Sequence, residues 1–181
     1  GAIVAVCDVN LKKAQETADE INAGGKGLAK TYYMDISDSA CVKQVMGDVL
    51  AVYGKVDVLV NVAGIIFLGK IEDVSDEAWD RVLNINLKGT FLCTKAAVPV
   101  MKKQKSGKIV NLSSITARIG GELTPVQYVS SKGAISTFTR HIAQELGPFG
   151  INVNAIAPGI TLTQRLEGMW TQRKTEEERN A

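Results

Sequence analysis

The stretch YVSSK, residues 128 to 132, sets a tyrosine and a lysine four positions apart with only small residues between them. On a helix both side chains leave the same face, one turn apart. Such a pair is either a chance neighbour relation on a solvated helix or an acid beside a cation that tunes it. Spacing alone does not decide, because four tyrosines in a lysine-containing chain make a coincidence easy. The surroundings add weight. Ser113 and Ser114 end an apolar run fifteen and fourteen residues before Tyr128. NVAG (61–64) ends another such run, Asn86 lies in NINLKG, and PGITLT (158–163) follows the last one. Four polar or glycine-containing motifs thus gather at strand ends or in adjoining helices, in the order a single cleft needs.

The elements that must position these residues alternate along the chain. AIVAVCDV (2–9), GLAKTYYM (27–34), VDVLVNV (56–62), GKIVNLS (107–113) and GINVNAIA (150–157) are continuous and β-branched, as strands buried on both faces should be. Between them lie helical patterns over 11–21, 39–54, 76–104 and 125–147. The third is long and contains Gly89 and Pro99, which predicts a bend or break inside it. In the fourth, Thr124 reads as the N-cap, Pro125 as the first helical residue and Gly147-Pro148 as the end, so Tyr128 and Lys132 fall near a helix start. Strict β-α alternation implies a parallel sheet with right-handed crossovers and helices on both faces. No repeat, low-complexity tract or internal linker interrupts residues 1–181, which read as one domain.

Composition narrows the function classes. Of 181 residues, 45% are hydrophobic and 22% charged, an ordinary globular balance with room for a substantial core. The net charge is +2, and no basic stripe interleaves with aromatics, so no nucleic-acid partner is expected. The KKQK run at 102–105 reads as a solvated helix end. Cys7, Cys41 and Cys93 form no CxxC pair and His141 is the only histidine, which argues against zinc and against a Ser-His-Asp hydrolase. Reduced thiols serving as packing fit a reducing cytoplasm. The most apolar run, VDVLVNVAGIIFLG, is short and carries Asp57 and Asn61, so no membrane span is expected. His141 itself reads as a surface or interface residue.

Taken together, Asp8, Asp35-Ile36, NVAG, Asn86, NLSS, YVSSK and PGITLT resemble the classical short-chain dehydrogenase/reductase family, and the resemblance extends over essentially the whole chain. It implies a Rossmann-like, doubly wound parallel sheet in three α/β/α layers. Against that pattern the chain lacks the first strand with its TGxxxGxG turn, and the C-terminal strand. Counting back about 20 residues from Asp8, where a glycine-rich turn belongs, also runs off the N-terminus. The missing strand would leave a gap between the first and third visible strands. Residues 1–181 alone are therefore expected to be poorly stable and to bind NAD weakly.

The resemblance also implies roles. Tyr128 would be the general acid or base; a free phenol ionises near pH 10, and the Lys132 cation would favour the phenolate. Lys132 would also bond the nicotinamide ribose. Ser114, the second of its pair, would stabilise developing charge on the substrate oxygen, although a strand-end serine can simply cap backbone. Asn86 would hold a water linking Lys132 to solvent, while Asn84 carries no implied chemistry. Hydride would pass between the substrate carbon and the nicotinamide.

For the cofactor, a carboxylate at Asp8 would take the adenosine ribose hydroxyls and repel a 2′-phosphate, favouring NAD over NADP, with Lys12 and Lys13 softening that repulsion. Asp35 would bond the adenine amino group, or else cap the next helix, and Ile36 would add apolar contact. Asn61, Ala63 and Gly64 would flank the adenosine ribose, with Val62 replacing the family's second asparagine. Pro158, Gly159, Ile160 and Thr163 would line the nicotinamide carboxamide and phosphates. The substrate is expected to be a small alcohol or ketone, and the assembly a homodimer or homotetramer packed through the last helix and the one containing Gly89, with Gly133, Ala134 and Ser136 permitting close approach. A partly apolar loop after residue 163 (Leu166, Met169, Trp170) would meet the substrate. Two alternatives remain: a 3-oxoacyl thioester reductase of the same family, and a catalytically silent dinucleotide-binding or interaction module.

Overall fold

The structure is a computed structural model, and it describes residues 1–25, 27–121 and 124–161. Thr163 and the loop beyond it lie outside the described residues. Among these residues are five strands, parallel within their sheets: β1 (Ile3–Asp8), β2 (Leu28–Tyr33), β3 (Val58–Asn61), β4 (Gly107–Leu112) and β5 (Ile151–Ile156). The helices are α1 (Leu11–Ala23), α2 (Ser39–Tyr53), α3 (Asp76–Leu83), α4 (Thr90–Gln104), α5 (Thr116–Ile119) and α6 (Val126–Leu146).

Local chemistry sets the boundaries. Asn10, Asp38 and Ser75 cap α1, α2 and α3 by accepting from Lys13, Ala40 and Ala78 backbone N–H groups. Gly54 ends α2 in the left-handed conformation (φ 71°), which glycine adopts without a Cβ clash. The long 76–104 segment is not broken at Pro99, which stays inside α4. Its irregularity is a π-helical turn at Asn84–Gly89, between α3 and α4. The turn ends at Gly89 for a reason of space: a Cβ there would come within 2.5 Å of Ile36 Cδ1.

The strands form two pieces, β1-β2 and β3-β4-β5, rather than one continuous sheet. The division falls between β1 and β3, where the sequence placed a gap. Registers are regular within each piece, with Val6 opposite Thr31 and Val60 opposite Val110. Helices lie on both faces of β1-β2. Thr31 Oγ1 bonds Gln15 of α1 at 3.0 Å, whereas its neighbour Tyr32, pointing the opposite way, sits against Tyr53 and Asp48 of α2.

The three-stranded piece differs from the expectation of strands buried on both faces. One face carries Leu59, Ile109, Ile151 and Val153, which join Ala97, Met101, Ile142 and Leu146 of α4 and α6 in the main core. On the opposite face Val58, Val60, Asn152 and Asn154 are exposed. No described helix covers them, so the third layer is incomplete over β3–β5.

A polar ladder crosses the covered face. Asn61 Nδ2 donates to Asn111 Oδ1 at 2.8 Å and to Thr94 Oγ1 at 3.3 Å. Asn111 Nδ2 continues to Thr139 Oγ1 at 2.9 Å, and Thr139 donates to the Ile135 carbonyl. Asn111 is fully buried, so each of these groups depends on the ladder for its hydrogen bonds. Asn111→Leu in the full-length protein should lower the unfolding free energy by about 2–3 kcal/mol, through the partners left unpaired. Urea unfolding would measure it, and an unchanged midpoint would show that the ladder contributes nothing to stability.

Candidate active site

At the head of α6, Pro125 rather than Thr124 occupies the N-cap, with extended backbone (φ −63°, ψ 140°). Its carbonyl accepts from Tyr128 and Val129 N–H groups, each at 3.1 Å. The helix therefore starts one residue later than expected, and Tyr128 stands in its first turn. One turn on, Lys132 is 5% exposed, a rare environment for a lysine. Its Nζ lies 5.7 Å from the Tyr128 ring centroid and donates to the Leu112 carbonyl at 2.6 Å. Burial pushes its pKa down from the ordinary 10.5 to about 8.

The end of β4 separates the two serines. Ser113 Oγ donates to the Lys132 carbonyl at 2.9 Å and pairs with Ser136 Oγ at 2.7 Å, so it fastens α6 to the sheet. Ser114 Oγ pairs only with its local neighbour Thr116, meeting the hydroxyl at 2.8 Å and the N–H at 3.2 Å. Of the two, Ser114 keeps a hydroxyl that a short rotation can redirect. Ser136, expected to permit close approach of a partner helix, faces Ser113 across its own fold.

Asn86 sits inside the π-helical turn with no exposed surface. Its Oδ1 accepts from Ile65 N–H at 2.8 Å, and its Nδ2 donates to the Ile65 carbonyl at 3.0 Å and to Ser131 Oγ at 3.1 Å. Ser131 in turn donates to the Tyr128 carbonyl at 2.7 Å. The side chain of Asn86 is thus a clamp between the segment after β3 and the first turns of α6. Its backbone carbonyl accepts from Thr90 Oγ1 at 2.7 Å, which supplies a donor where the π-turn changes the helical bonding pattern.

The remaining expected residues divide. Asp8 is exposed at the carboxyl end of β1, and its Oδ1 accepts from Asn10 N–H at 2.7 Å, which orients the carboxylate. Asp35 is not a helix cap: that role belongs to Asp38. Instead Asp35 Oδ1 accepts from Ser37 N–H and Ser37 Oγ, which holds its carboxyl below the usual range. Ile36 is turned inward against Gly89 and the cluster of Val42, Leu92 and Cys93 rather than toward an adenine, because the missing Cβ of Gly89 leaves it space. The same contact buries Gly89. Asn61 has both amide hydrogens aimed at Thr94 and Asn111, so its Nδ2 serves the sheet, while its Oδ1 and backbone are left for a ligand. Gly64 lies where a Cβ would stand 3.2 Å from Asn86 Oδ1 and 3.6 Å from Lys132 Nζ. The Pro158 carbonyl accepts from Ile115 N–H at 3.0 Å, which brings the 158–160 segment beside Ser114. Ile160 is exposed and Gly159 has open space around its Cα, while Ala63 is exposed after β3.

These positions fit a dinucleotide in part. The Asp8 carboxylate, the Ala63-Gly64 backbone, the Lys132 ammonium and the Pro158–Ile160 backbone all lie at or beyond the carboxyl ends of parallel strands, where such ligands bind. The Gly64 cradle is also one that a side chain would fill. The Ile36 side chain packs inward, and the Nδ2 of Asn61 is taken by the sheet.

Sequence reading passed over Gln127, Ser131, Asn111, Thr94, Thr139 and Arg81. One signal was available: Asn111 is a polar residue inside an otherwise apolar strand, which demands a buried partner. Nothing in the local pattern pointed to Gln127 or Ser131.

Residues 1–174 match the short chain dehydrogenase family, and the chain belongs to it. It is 38% identical over 172 residues to the (2S)-[(R)-hydroxy(phenyl)methyl]succinyl-CoA dehydrogenase subunit BbsD of Thauera aromatica, covering 95% of this chain and 66% of that protein. To cyclopentanol dehydrogenase of a Comamonas species it is 37% identical over 163 residues, covering 90% and 64% respectively. A solved structure assigned as a short-chain dehydrogenase/reductase from Burkholderia xenovorans superposes with a TM-score of 0.91 at 30% identity, covering 98% of this chain and 67% of that one. The chain thus spans just under two thirds of the length of these curated relatives. No helix among the described residues is long and apolar enough to cross a membrane.

Proposed function

We propose that the full-length protein is an NAD-dependent oxidoreductase interconverting an alcohol and a carbonyl compound, with Tyr128 as the general acid/base. The observation that carries this reading is the buried Lys132 ammonium, 5.7 Å from the Tyr128 ring and one turn away on α6. A cation held there favours the phenolate and lets Tyr128 take or return a proton at the substrate oxygen. Ser114 rotates from Thr116 to donate to that oxygen, and Asn86 holds the segment after β3 in place while its turn provides the route for a water to Lys132. A bound nicotinamide supplies or accepts the hydride.

Asp8 supports NAD over NADP through repulsion of a 2′-phosphate. The outer faces of α4 and α6, where Phe91 and Phe138 meet edge to face at 6.5 Å and Gly133 adjoins open space, support a homodimer or homotetramer. Three free thiols, two of them with burial-raised pKa values, suit a reducing, cytoplasmic setting. A second reading, a hydroxyacyl or 3-oxoacyl thioester as substrate, is supported by the acyl-CoA named for the Thauera relative. The intact set of Asn86, Ser114, Tyr128 and Lys132 weighs against a silent binding module.

The test is nicotinamide absorbance, with NAD and NADP, against panels of secondary alcohols, ketones and acyl thioesters. Turnover with NAD is expected; absence of turnover with every pair would remove the proposal. Within the active protein, Ser114→Ala should lower kcat by about 10²-fold or more. Ser113→Ala should chiefly lower stability, and the reverse ranking would reassign the pair.

A further inference from the structure

Gln127 immediately precedes Tyr128, is 1% exposed, and has one of its two amide ends unpartnered. Its Nε2 donates to the Phe67 carbonyl at 2.9 Å. That carbonyl can only accept, so the amide orientation is fixed, and Oε1 is left buried without a donor among the described residues. Burying an unpaired amide oxygen is costly, and a methionine of similar length would avoid the cost. Packing therefore gives no reason for glutamine at this position, whereas the bond to Phe67 does.

The Phe67 segment borders the candidate site. It begins at Gly64, beside Lys132 Nζ. Ile65 is clamped at both backbone atoms by Asn86, which Ser131 ties to the Tyr128 carbonyl. Gln127 and Ser131 are one turn apart on the buried side of α6 and hold the segment at two points, Phe67 and, through Asn86, Ile65. From α3, the Arg81 guanidinium covers the Phe67 ring at 5.6 Å from its centroid. Beyond these anchors Leu68 and Ile71 are exposed, so what the anchors fix is the start of an apolar stretch tied to the α6 turn that carries Tyr128.

We infer that Gln127 is a positioning residue that sets substrate affinity by holding the Ile65–Leu68 stretch against the acid/base helix through the Phe67 carbonyl. The inference rests on the proposed oxidoreductase reading for its kinetic consequence, but not for its structural one. It acts on where the substrate body sits, not on proton transfer.

The test uses the full-length protein and Gln127→Met, which keeps the volume and removes both the donor and the orphan oxygen. With the best alcohol substrate, KM should rise about tenfold, the worth of one hydrogen bond, while kcat stays within about threefold and its pH profile is unmoved. Amide hydrogen exchange over residues 62–70 should accelerate while the melting temperature shifts by less than about 4 °C. Arg81→Leu acts on the same segment, so the double variant should raise KM by less than the product of the single effects. Unchanged KM together with unchanged exchange over 62–70 would overturn the inference, as would a fall in kcat alone. If the protein turns over no substrate, the functional reading fails, and the exchange experiment still decides whether Gln127 holds the segment.

Discussion

Replacing Tyr128 by phenylalanine in the full-length protein should reduce kcat by about 10³-fold, within the 10²–10⁴ that a positioned acid or base contributes. The substitution removes one oxygen and leaves the ring, so α6 and its first turn should be undisturbed. The Pro125 carbonyl still accepts from the backbone N–H of residue 128, and the Tyr128 carbonyl still accepts from Ser131. Among the described residues the Tyr128 hydroxyl makes no hydrogen bond, so its loss leaves no buried partner unpaired. Quenching of protein fluorescence by NADH should therefore give a dissociation constant within about threefold of the parent. A pure loss of kcat with binding intact marks an interaction made only in the transition state. Undiminished turnover would remove Tyr128 from the role, and a parallel loss of binding would point to a cofactor contact instead.

Much of this arrangement was legible in the sequence because it rests on local rules. Alternating apolar runs and amphipathic segments placed all five strands within two residues, and the Pro125 signal placed Tyr128 and Lys132 in one helix. The tyrosine-lysine spacing carried their shared face directly. What was not legible depends on tertiary partners. The π-turn at Asn84–Gly89 has no propensity signature; it shows itself only through Asn86 reaching Ile65 and Ser131. Asn61 was expected at the ribose from its resemblance to the family's turn, and the pattern could not show that its Nδ2 bonds Asn111 on a neighbouring strand and Thr94 on α4. The adenine contact of Ile36 came likewise from the resemblance, and its packing into the space above Gly89 is a tertiary contact that no local pattern carries. Which of the two serines faces the sheet likewise depends on a tertiary partner, the Lys132 carbonyl that Ser113 bonds. Polar residues at strand ends can face the ligand or the sheet, and only the packing of the helices above them decides.

Lys132→Met should have the second large effect, on both rate and the pH dependence of stability. The rate argument is electrostatic: without the ammonium, the phenol loses the charge that favours its ionised form, and kcat should fall by about 10²-fold or more. Oxidation should recover partly at alkaline pH, as an unassisted phenol approaches its ordinary value near 10. The stability argument follows from proton linkage. In the folded chain burial lowers the lysine pKa to about 8, against 10.5 for the ordinary group. Below pH 8 both states carry the proton, and the folded state bears the cost of a buried charge. Between about 8 and 10.5 the unfolded state binds more protons than the folded one, so this group makes stability rise with pH. Cys7 and Cys93 act oppositely, since burial raises their thiols from 9.0 to about 11 and about 12, and stability from them declines as pH rises above the ordinary thiol value. The difference between parent and Lys132→Met isolates the lysine. Urea midpoints measured from about pH 7 to 10.5 should show the variant's advantage greatest at the acid end and shrinking steadily toward the alkaline end. The loss of the bond to the Leu112 carbonyl adds a cost that does not depend on pH in the variant, so it offsets the curves without changing their slopes. Parallel profiles would mean that Lys132 titrates near its ordinary value, and that the ammonium beside Tyr128 is held by hydrogen bonding strongly enough to cancel its burial.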